Sequence, residues 1–276
     1  MSLAFAFSPT QRLALIGAGK MGSALLKGWL ADGLDKRAAL VIDPAPPPDS
    51  ATYLSEAGVG IHAAAPDGAT AKVVVIAVKP QIIRDVLPTL RPLLARDAVA
   101  ISIAAGTTLK QLKDGLGDVA IVRTIPNTPA QVGRGVTVAI ANPRVDKAGV
   151  ALVTDLLKAV GEVVWVDKEG MIDSATAVSG SGPAYVFHMV EALSAAAVSV
   201  GFDKVTADLL ARKTVEGAGE LLYQSDLGAD MLRQNVTSPK GTTAAALKVL
   251  MGRPGLTALM KKAVAAARKR SRELAR

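Results

Sequence analysis

The chain contains no cysteine and very few aromatic residues. Phe, Trp and Tyr together make up 3% of its 276 residues. Without cysteine there can be no disulfide framework, no thiolate nucleophile and no cysteine-based zinc site, and we expect no metal site. Half of the residues are hydrophobic, so the core must consist mainly of Ala, Val, Leu and Ile. Such a core suits buried parallel strands and closely packed helices.

Long hydrophobic runs are also missing. The longest runs, such as Val73–Val78, are far too short to cross a bilayer. The N-terminal segment has neither a positively charged region nor the apolar stretch of a signal peptide. We therefore expect a soluble, cytoplasmic protein without a membrane partner.

Positive charge is concentrated at the C-terminus. The chain has a net charge of +8, and residues 261–276 contain seven basic residues and a single acid, Glu273. No aromatic residues lie between these charges, and no nucleic-acid-binding module is recognisable. We interpret the segment as the solvated face of a last helix and expect no nucleic-acid partner. Contact with a phosphate or a neighbouring subunit is the alternative.

The first part of the chain alternates short apolar runs with amphipathic segments, which predicts a parallel, doubly wound α/β sheet covered by helices. The predicted strands are Leu13–Ile16, Leu40–Ile42, Val73–Val78, Val99–Ile103, Ala120–Thr124, Gly135–Ile140 and Glu162–Val166. The predicted helices among them are Met21–Ala31, Ser50–Ala57, Pro80–Leu94, Leu109–Leu116 and Lys147–Val160.

After residue 166 the pattern becomes entirely helical. The predicted helices are Lys168–Val178, Pro183–Val200, Asp203–Gln224, Gly228–Asn235, Thr242–Met251 and Pro254–Ala275. Several are apolar nearly all round, and a helix without a polar face must be buried against others. A small domain has little interior for them, so we predict an obligate dimer formed through residues 167–276. Residues 1–166 then form the dinucleotide-binding domain.

A glycine-rich turn follows the first predicted strand and opens a helix, the setting in which GxGxxG binds a dinucleotide. Gly17 permits the tight turn, Gly19 lets a pyrophosphate approach the backbone, and Gly22 allows the helix to pack closely. The positive end of the helix dipole then attracts the phosphates. A purely structural turn is the alternative. The predicted cofactor-binding residues are Gly17, Ala18, Gly19, Lys20, Met21 and Gly22.

Asp43 ends the second predicted strand, where an acid usually binds the ribose 2′-hydroxyl. A carboxylate there repels a 2′-phosphate and favours NADH over NADPH. Alternatively, Asp43 begins an Asx turn before Pro44. The choice between NADPH and NADH therefore stays open.

Ligands of open α/β sheets lie over the carboxyl ends of the strands. The loops that follow the next strands are therefore predicted to contact the cofactor through Val78, Lys79, Pro80, Ala104, Ala105 and Gly106. Lys79 is placed to reach a ribose or a phosphate, although a solvated lysine is the alternative. Asn127 lies in a stiff loop between two prolines and is placed to orient the nicotinamide carboxamide or the substrate.

Six motifs, in order and spacing, resemble the pyrroline-5-carboxylate reductase family. They are Gly17–Gly22, Ala77–Gln81, Ser102–Gly106, Pro126–Pro129, Ala177–Tyr185 and Asn235–Thr243. The resemblance extends over effectively the whole chain. It implies NAD(P)H-dependent reduction of 1-pyrroline-5-carboxylate to L-proline, the last step of proline biosynthesis. It also implies a Rossmann domain followed by a helical dimerisation domain, with dimers sometimes assembled into larger rings.

The same resemblance implies roles for residues near the C-terminus. Thr243 matches the family threonine whose hydroxyl approaches the pyrroline nitrogen, so it is the implied catalytic residue. Ser238, Gly241 and Thr242 match the loop that, with Thr243, holds the substrate carboxylate. Free N–H groups at a helix start can bind a carboxylate, although capping alone also favours Ser and Thr there. Because an iminium arrives already protonated, we interpret Thr243 as orienting the nitrogen.

The chain departs from the family pattern at Lys240, where the family has glycine. If this position requires a positive φ, a lysine costs about 1–2 kcal/mol. Alternatively, Lys240 places a cation beside the substrate carboxylate, or its side chain simply points into water. We favour the last interpretation.

Two other functions remain open. One is another imine reductase or a β-hydroxyacid dehydrogenase of the same architecture, for which Lys213 is the candidate proton donor. The other is a non-catalytic dinucleotide sensor. The intact Ser-Pro-x-Gly-Thr-Thr loop speaks against a sensor, since a sensor needs no carboxylate site.

Overall fold

The computed structural model describes residues 6–274. In that range, the strands of its single sheet are β1 (Arg12–Ile16), β2 (Ala39–Ile42), β3 (Ile61–His62), β4 (Ala71–Ile76), β5 (Leu94–Ser102), β6 (Ala120–Ile125), β7 (Gly135–Ala141) and β8 (Gly161–Trp165). The helices are α1 (Lys20–Ala31), α2 (Pro48–Glu56), α3 (Ile83–Thr89), α4 (Leu109–Leu116), α5 (Lys147–Lys158), α6 (Gly170–Ala175), α7 (Gly182–Ser199), α8 (Lys204–Gln224), α9 (Ala229–Asn235), α10 (Thr242–Leu250) and α11 (Leu256–Leu274).

The strand order is β3-β2-β1-β4-β5-β6-β7-β8. The strands from β1 to β6 pair in parallel, β7 is antiparallel to β6, and β8 is parallel to β7. The strand order therefore reverses between β1 and β4, where ligands of such sheets bind. The predicted doubly wound α/β architecture followed by helices is confirmed, with one antiparallel pairing added to a mostly parallel sheet.

Both faces of the sheet are buried. Along β1, Leu13 and Leu15 belong to one apolar cluster, whereas Ala14 and Ile16 belong to another. This is why the strands read as continuous apolar runs rather than as alternating patterns. On the first face, the buried Trp29 of α1 donates from Nε1 to the carbonyl oxygen of Leu156 at 2.8 Å. That bond ties α1 to α5.

Two elements illustrate where the structure differs from the sequence-based prediction. The strand β3 is absent from the prediction, because two residues are too few to produce a pattern. The helix predicted over Pro80–Leu94 is too long: α3 is followed by a short 3-10 turn, and Leu94 already begins β5. Pro92 lies in that turn and has no N–H with which to continue a helix. Ala275, predicted to end the last helix, lies outside the described residues.

Within the described residues, the chain forms two compact units. Unit 1 comprises residues 6–180 and 268–274, and contains the sheet; unit 2 comprises residues 181–267. The predicted boundary at residue 166 corresponds to the end of the last strand and stays a prediction. None of the helices described is both long and apolar enough to span a membrane.

Candidate active site

The glycine-rich turn joins β1 to α1 at the point where the strand order reverses. Gly17 has a φ of +96°, and a Cβ added there would lie 2.8 Å from the carbonyl oxygen of Ala77. A Cβ at Gly22 would lie only 2.2 Å from the carbonyl oxygen of Gly17. At Gly19, by contrast, no atom lies within 4 Å of an added Cβ. The turn is therefore closely packed on its inner side and open at Gly19.

The N-terminus of α1 carries backbone donors without a side-chain cap. Gly19 is the residue before the helix, and no side chain hydrogen-bonds to the first turn. Ala18 is buried, Met21 is half-buried and Lys20 is exposed. Uncapped N–H groups at the positive end of a helix dipole suit a pyrophosphate. Together with the open space at Gly19, they fit a dinucleotide.

Asp43 connects the end of β2 with the glycine-rich turn. Its Oδ2 accepts the N–H of Ala18 at 2.7 Å, and its Oδ1 accepts the N–H of Ala45 at 2.9 Å. The second bond is the Asx turn that we considered as the alternative role. The first places the carboxylate against the turn itself. A half-buried anion is thus held in a fixed position beside the predicted cofactor site.

The other predicted cofactor residues lie in the loops after β4 and β5. β4 pairs in parallel with β1, and β5 pairs in parallel with β4, so the carboxyl ends of these strands lie at one edge of the sheet. Val78 is half-buried, and Lys79 and Pro80 are exposed. In the second loop, Ala104 is buried, Ala105 is exposed, and Gly106 is half-buried with a φ of +76°. The topology therefore brings both loops to the edge that carries the glycine-rich turn.

Asn127 follows β6 and is buried, with 9% of its surface exposed. Its Oδ1 accepts the N–H of Val136 in β7 at 2.9 Å. One end of the amide is thus used within the fold, and the Nδ2 group is the part of the side chain that would donate to a ligand. Its role towards the nicotinamide stays a prediction.

An ion pair between the buried Arg123 and the half-buried Glu169, near the β5–α4 loop, is missing from the sequence-based prediction. Arg123 of β6, whose side chain is 4% exposed, donates from Nη1 to Oε1 of Glu169 at 2.6 Å. The same oxygen accepts the N–H of Leu109, the first residue of α4, at 2.7 Å. The Nε of Arg123 is the buried side-chain donor without a partner among residues 6–274. The signal in the sequence is an arginine within an apolar strand. It indicates that an acidic partner lies nearby, because a buried charge requires a partner.

The predicted substrate loop lies in unit 2 and contains a β-turn. The N–H of Gly241 donates to the carbonyl oxygen of Ser238 at 3.1 Å. Lys240, at the second central position after Pro239, has a φ of +62°. Proline followed by a residue with positive φ is typical of a type II turn, which favours glycine at this position. A Cβ at Gly241 would lie 2.3 Å from Oγ of Ser238, so a larger residue there would displace the serine hydroxyl.

Lys240 is the one non-glycine residue with positive φ among residues 6–274. The first of the three alternatives therefore holds for its backbone, with a cost of about 1–2 kcal/mol. Its side chain is exposed, which agrees with the favoured interpretation that it points into water.

The helix α10 begins directly after this turn. Gly241 precedes it, and no side chain caps its first turn, so capping does not account for the Ser and Thr residues here. Ser238 and Thr242 are exposed, and Thr243 is half-buried. The loop thus presents hydroxyl groups together with uncapped N–H donors, which is a chemistry suited to a carboxylate.

Comparisons with known proteins match both parts of the chain. The family model "Pyrroline-5-carboxylate reductase dimerisation" matches residues 169–274, and "NADP oxidoreductase coenzyme F420-dependent" matches residues 12–106. The chain is 39% identical to a pyrroline-5-carboxylate reductase from Pseudomonas aeruginosa, over 96% of this chain and 97% of that protein. It is 36% identical to one from Pisum sativum, over 97% of each.

Solved structures give the same result. A pyrroline-5-carboxylate reductase from Coxiella burnetii has a TM-score of 0.89 at 39% identity, covering 97% of this chain and 99% of that one. The Plasmodium falciparum pyrroline carboxylate reductase, solved with NADP bound, has a TM-score of 0.79 at 28% identity, covering 97% of this chain and 99% of that one. The chain belongs to the pyrroline-5-carboxylate reductase family.

Proposed function

We propose that this chain reduces 1-pyrroline-5-carboxylate to L-proline with NADPH or NADH, as the last step of proline biosynthesis. The proposal rests on one observation: this member of the family contains two complete ligand-binding elements. One is the glycine-rich turn, closely packed inside and open at Gly19. The other is the Ser-Pro-x-Gly-Thr-Thr loop before the uncapped helix α10.

The cofactor roles follow from the topology of unit 1. The N-terminus of α1 would hold the pyrophosphate, and Asp43 would face the adenosine ribose. The loops Val78–Pro80 and Ala104–Gly106, with Asn127, would hold the nicotinamide half. The cofactor, when bound, supplies a hydride. The chain's own task there is to fix the position of the nicotinamide, because hydride transfer requires the reacting atoms to lie about 3–3.5 Å apart.

The substrate roles fall to the loop in unit 2. The hydroxyl of Ser238 and the N–H groups of Thr242 and Thr243 would hold the carboxylate, while Gly241, whose N–H closes the turn onto Ser238, would fix the shape of the loop. The protonated ring nitrogen would donate its hydrogen bond to the hydroxyl oxygen of Thr243. When the imine carbon gains a hydride, the C=N π electrons become the nitrogen lone pair, and the product is a secondary amine. Thr243 therefore orients the ring, and no strong acid is needed in the loop.

The alternative of a β-hydroxyacid dehydrogenase requires a lysine as proton donor. Lys213, the candidate, lies on α8 with 64% of its side chain exposed, and its Nζ lies 2.9 Å from Oε2 of Glu216. An exposed lysine engaged in an ion pair on its own helix is poorly suited to that task. This geometry favours the imine reductase.

We further propose that the protein is cytoplasmic and acts as a homodimer or as a larger ring of dimers. In this proposal, residues 1–166 bind the dinucleotide, and residues 167–276 form the dimerisation and substrate-binding domain. The support is the apolar surface of unit 2: α9 and α10 have no buried residue, and Phe187 and Val205 are 64% and 80% exposed. Exposed apolar surface of this kind marks association sites.

The test measures oxidation of NADH and of NADPH separately, with 1-pyrroline-5-carboxylate and then with a 2-oxo acid as acceptor. We expect turnover with the pyrroline alone. Turnover with the 2-oxo acid alone would contradict the proposal. Asp43→Asn then tests the cofactor preference, because it removes the charge and keeps a side-chain oxygen that can accept the N–H of Ala18. Loss of the anion should raise kcat/KM for NADPH relative to NADH by about tenfold in this variant and in Asp43→Ser.

A further inference from the structure

We propose that the last two turns of α11, residues 268–274, position the cofactor loop Ala104–Thr107 and thereby raise the affinity for the dinucleotide without touching it. The inference rests on the assignment of this loop to the cofactor. It concerns unit 1 alone, because residues 268–274 belong to that unit.

Ser271 holds the segment 268–274 in place. It is 7% exposed and is the buried residue of α11 over the described range Leu256–Leu274. Its hydroxyl donates to Oδ1 of Asp173 in α6 at 2.8 Å. A buried hydroxyl bonded to a carboxylate is a specific contact on a helix whose other side chains are at least partly exposed.

The helix α6 connects Ser271 with the element that follows the cofactor loop. Glu169, directly before α6, accepts the N–H of Leu109 at the start of α4. Glu169 is itself held by the buried Arg123. Two carboxylates, one directly before α6 and one within it, thus connect the end of α11 with the start of α4, and α4 begins just after the loop Ala104–Thr107.

Leu274 lies next to the loop. A Cβ added at Gly106 would lie 3.4 Å from the carbonyl oxygen of Leu274. Leu274 also lines one crevice together with Ala105, Gly106 and Thr107. Gly106 has a positive φ, and glycine loses more conformational freedom on folding than any other residue. A neighbouring backbone that limits its movement reduces the entropy that must be lost when a ligand binds.

Simple packing of the end of α11 is the competing explanation, and the two explanations predict different measurements. Packing alone would stabilise the fold and leave dinucleotide affinity unchanged at temperatures well below unfolding. Positioning changes the affinity of the folded protein. The readout must therefore be the dissociation constant for NADH or NADPH, measured by cofactor fluorescence, beside thermal unfolding.

The experiment compares Ser271→Ala, Ser271→Thr and a chain ending at Arg270 with the unmodified protein. Lys269→Ala is the matched control, because Lys269 lies on the same turn and is exposed. We expect Ser271→Ala to weaken dinucleotide binding about fivefold, as for one lost hydrogen bond, and the truncation to weaken it further. Ser271→Thr retains a hydroxyl and should bind normally, as should the control.

The KM for the pyrroline substrate should change much less than the dinucleotide affinity. Unchanged dinucleotide affinity in Ser271→Ala and in the truncated chain would overturn the inference, even if both variants unfold at lower temperature. If the truncated chain does not fold, Ser271→Ala decides alone. Failure of the proposed function is distinguishable, because dinucleotide binding can be measured without any turnover of the pyrroline.

Discussion

Unit 1 buries most of its large apolar side chains within one chain, whereas unit 2 leaves many of them exposed. In unit 1, Leu13 and Trp29 are each 1% exposed. In unit 2, Phe187 is 64% and Val205 is 80% exposed, and α10 has no buried residue. The sequence of unit 1 thus specifies a core that one chain completes. The sequence of unit 2 specifies apolar helix surfaces that its own chain leaves exposed, which agrees with the match of this region to a dimerisation domain, since apolar helices without a polar face require burial.

The two units also differ in how they hold a ligand-binding loop. In unit 1, glycines with no room for a side chain set the conformation of the turn before α1. In unit 2, the loop before α10 places a lysine where the backbone favours glycine. Both loops leave the start of a helix uncapped. The difference therefore lies in backbone strain rather than in the kind of donor presented.

The most direct test of this difference in burial is to place a charge on the apolar surface of unit 2. Phe187→Glu should weaken self-association at least about hundredfold, because a carboxylate would be buried in an apolar interface without a partner. Light scattering on the purified protein measures the oligomer, and pyrroline reduction at the same concentrations measures its consequence. Phe187→Leu, which keeps the surface apolar, should remain associated. A dimer of unchanged stability in Phe187→Glu would place the interface elsewhere.

In unit 1, two glycine substitutions separate folding from binding. Gly22→Ala places a methyl group 2.2 Å from the carbonyl oxygen of Gly17. We expect it to lower the free energy of unfolding by about 2 kcal/mol or more and to impair dinucleotide binding. Gly19→Ala meets no atom within 4 Å, so it should unfold like the unmodified chain and still bind the dinucleotide poorly. Titration of NADPH fluorescence and thermal unfolding distinguish the two effects.

The sequence predicts unit 1 well where local pattern and topology coincide. Buried parallel strands such as β1 and β4 read as apolar runs, and the GxGxxG turn has its own signature. The bond from Ala18 to Asp43 joins residues 25 positions apart, and no local pattern encodes it. The tie between Arg123 and Glu169 is likewise non-local. Such contacts appear only when the sheet brings its strand ends together.

For unit 2 the sequence predicts the helices but not the conformation of the loop. The positive φ of Lys240 depends on whether the Ser-Pro-Lys-Gly segment forms a type II turn, and a lysine there gives no local indication of it. The all-apolar pattern of α7 predicts burial, yet it does not say which surface provides it. The physical reason is that the covering atoms belong to no segment nearby in the sequence.

Within the substrate loop, Thr243→Ala should lower kcat about 10- to 100-fold, because the hydroxyl that orients the ring nitrogen is lost. Dinucleotide affinity should stay nearly unchanged, since the residue lies outside the cofactor elements. Thr243→Ser, which keeps a hydroxyl, is the matched control and should retain most of the activity. Loss of dinucleotide binding in Thr243→Ala would show that the threonine belongs to the cofactor pocket.

The smallest expected effect concerns the backbone strain at Lys240 in unit 2. Lys240→Gly removes the Cβ at a φ of +62° and should raise the free energy of unfolding by about 1 kcal/mol, reduced by the greater entropy of glycine in the unfolded chain. Lys240→Gln keeps both the Cβ and the strain while removing the charge, so its stability should match that of lysine. If the KM for the pyrroline rises in both variants, the ammonium group contributes to carboxylate binding. If neither KM changes and only the glycine variant is more stable, the lysine only adds backbone strain that the fold tolerates. The backbone donors of the loop are then sufficient to bind the carboxylate.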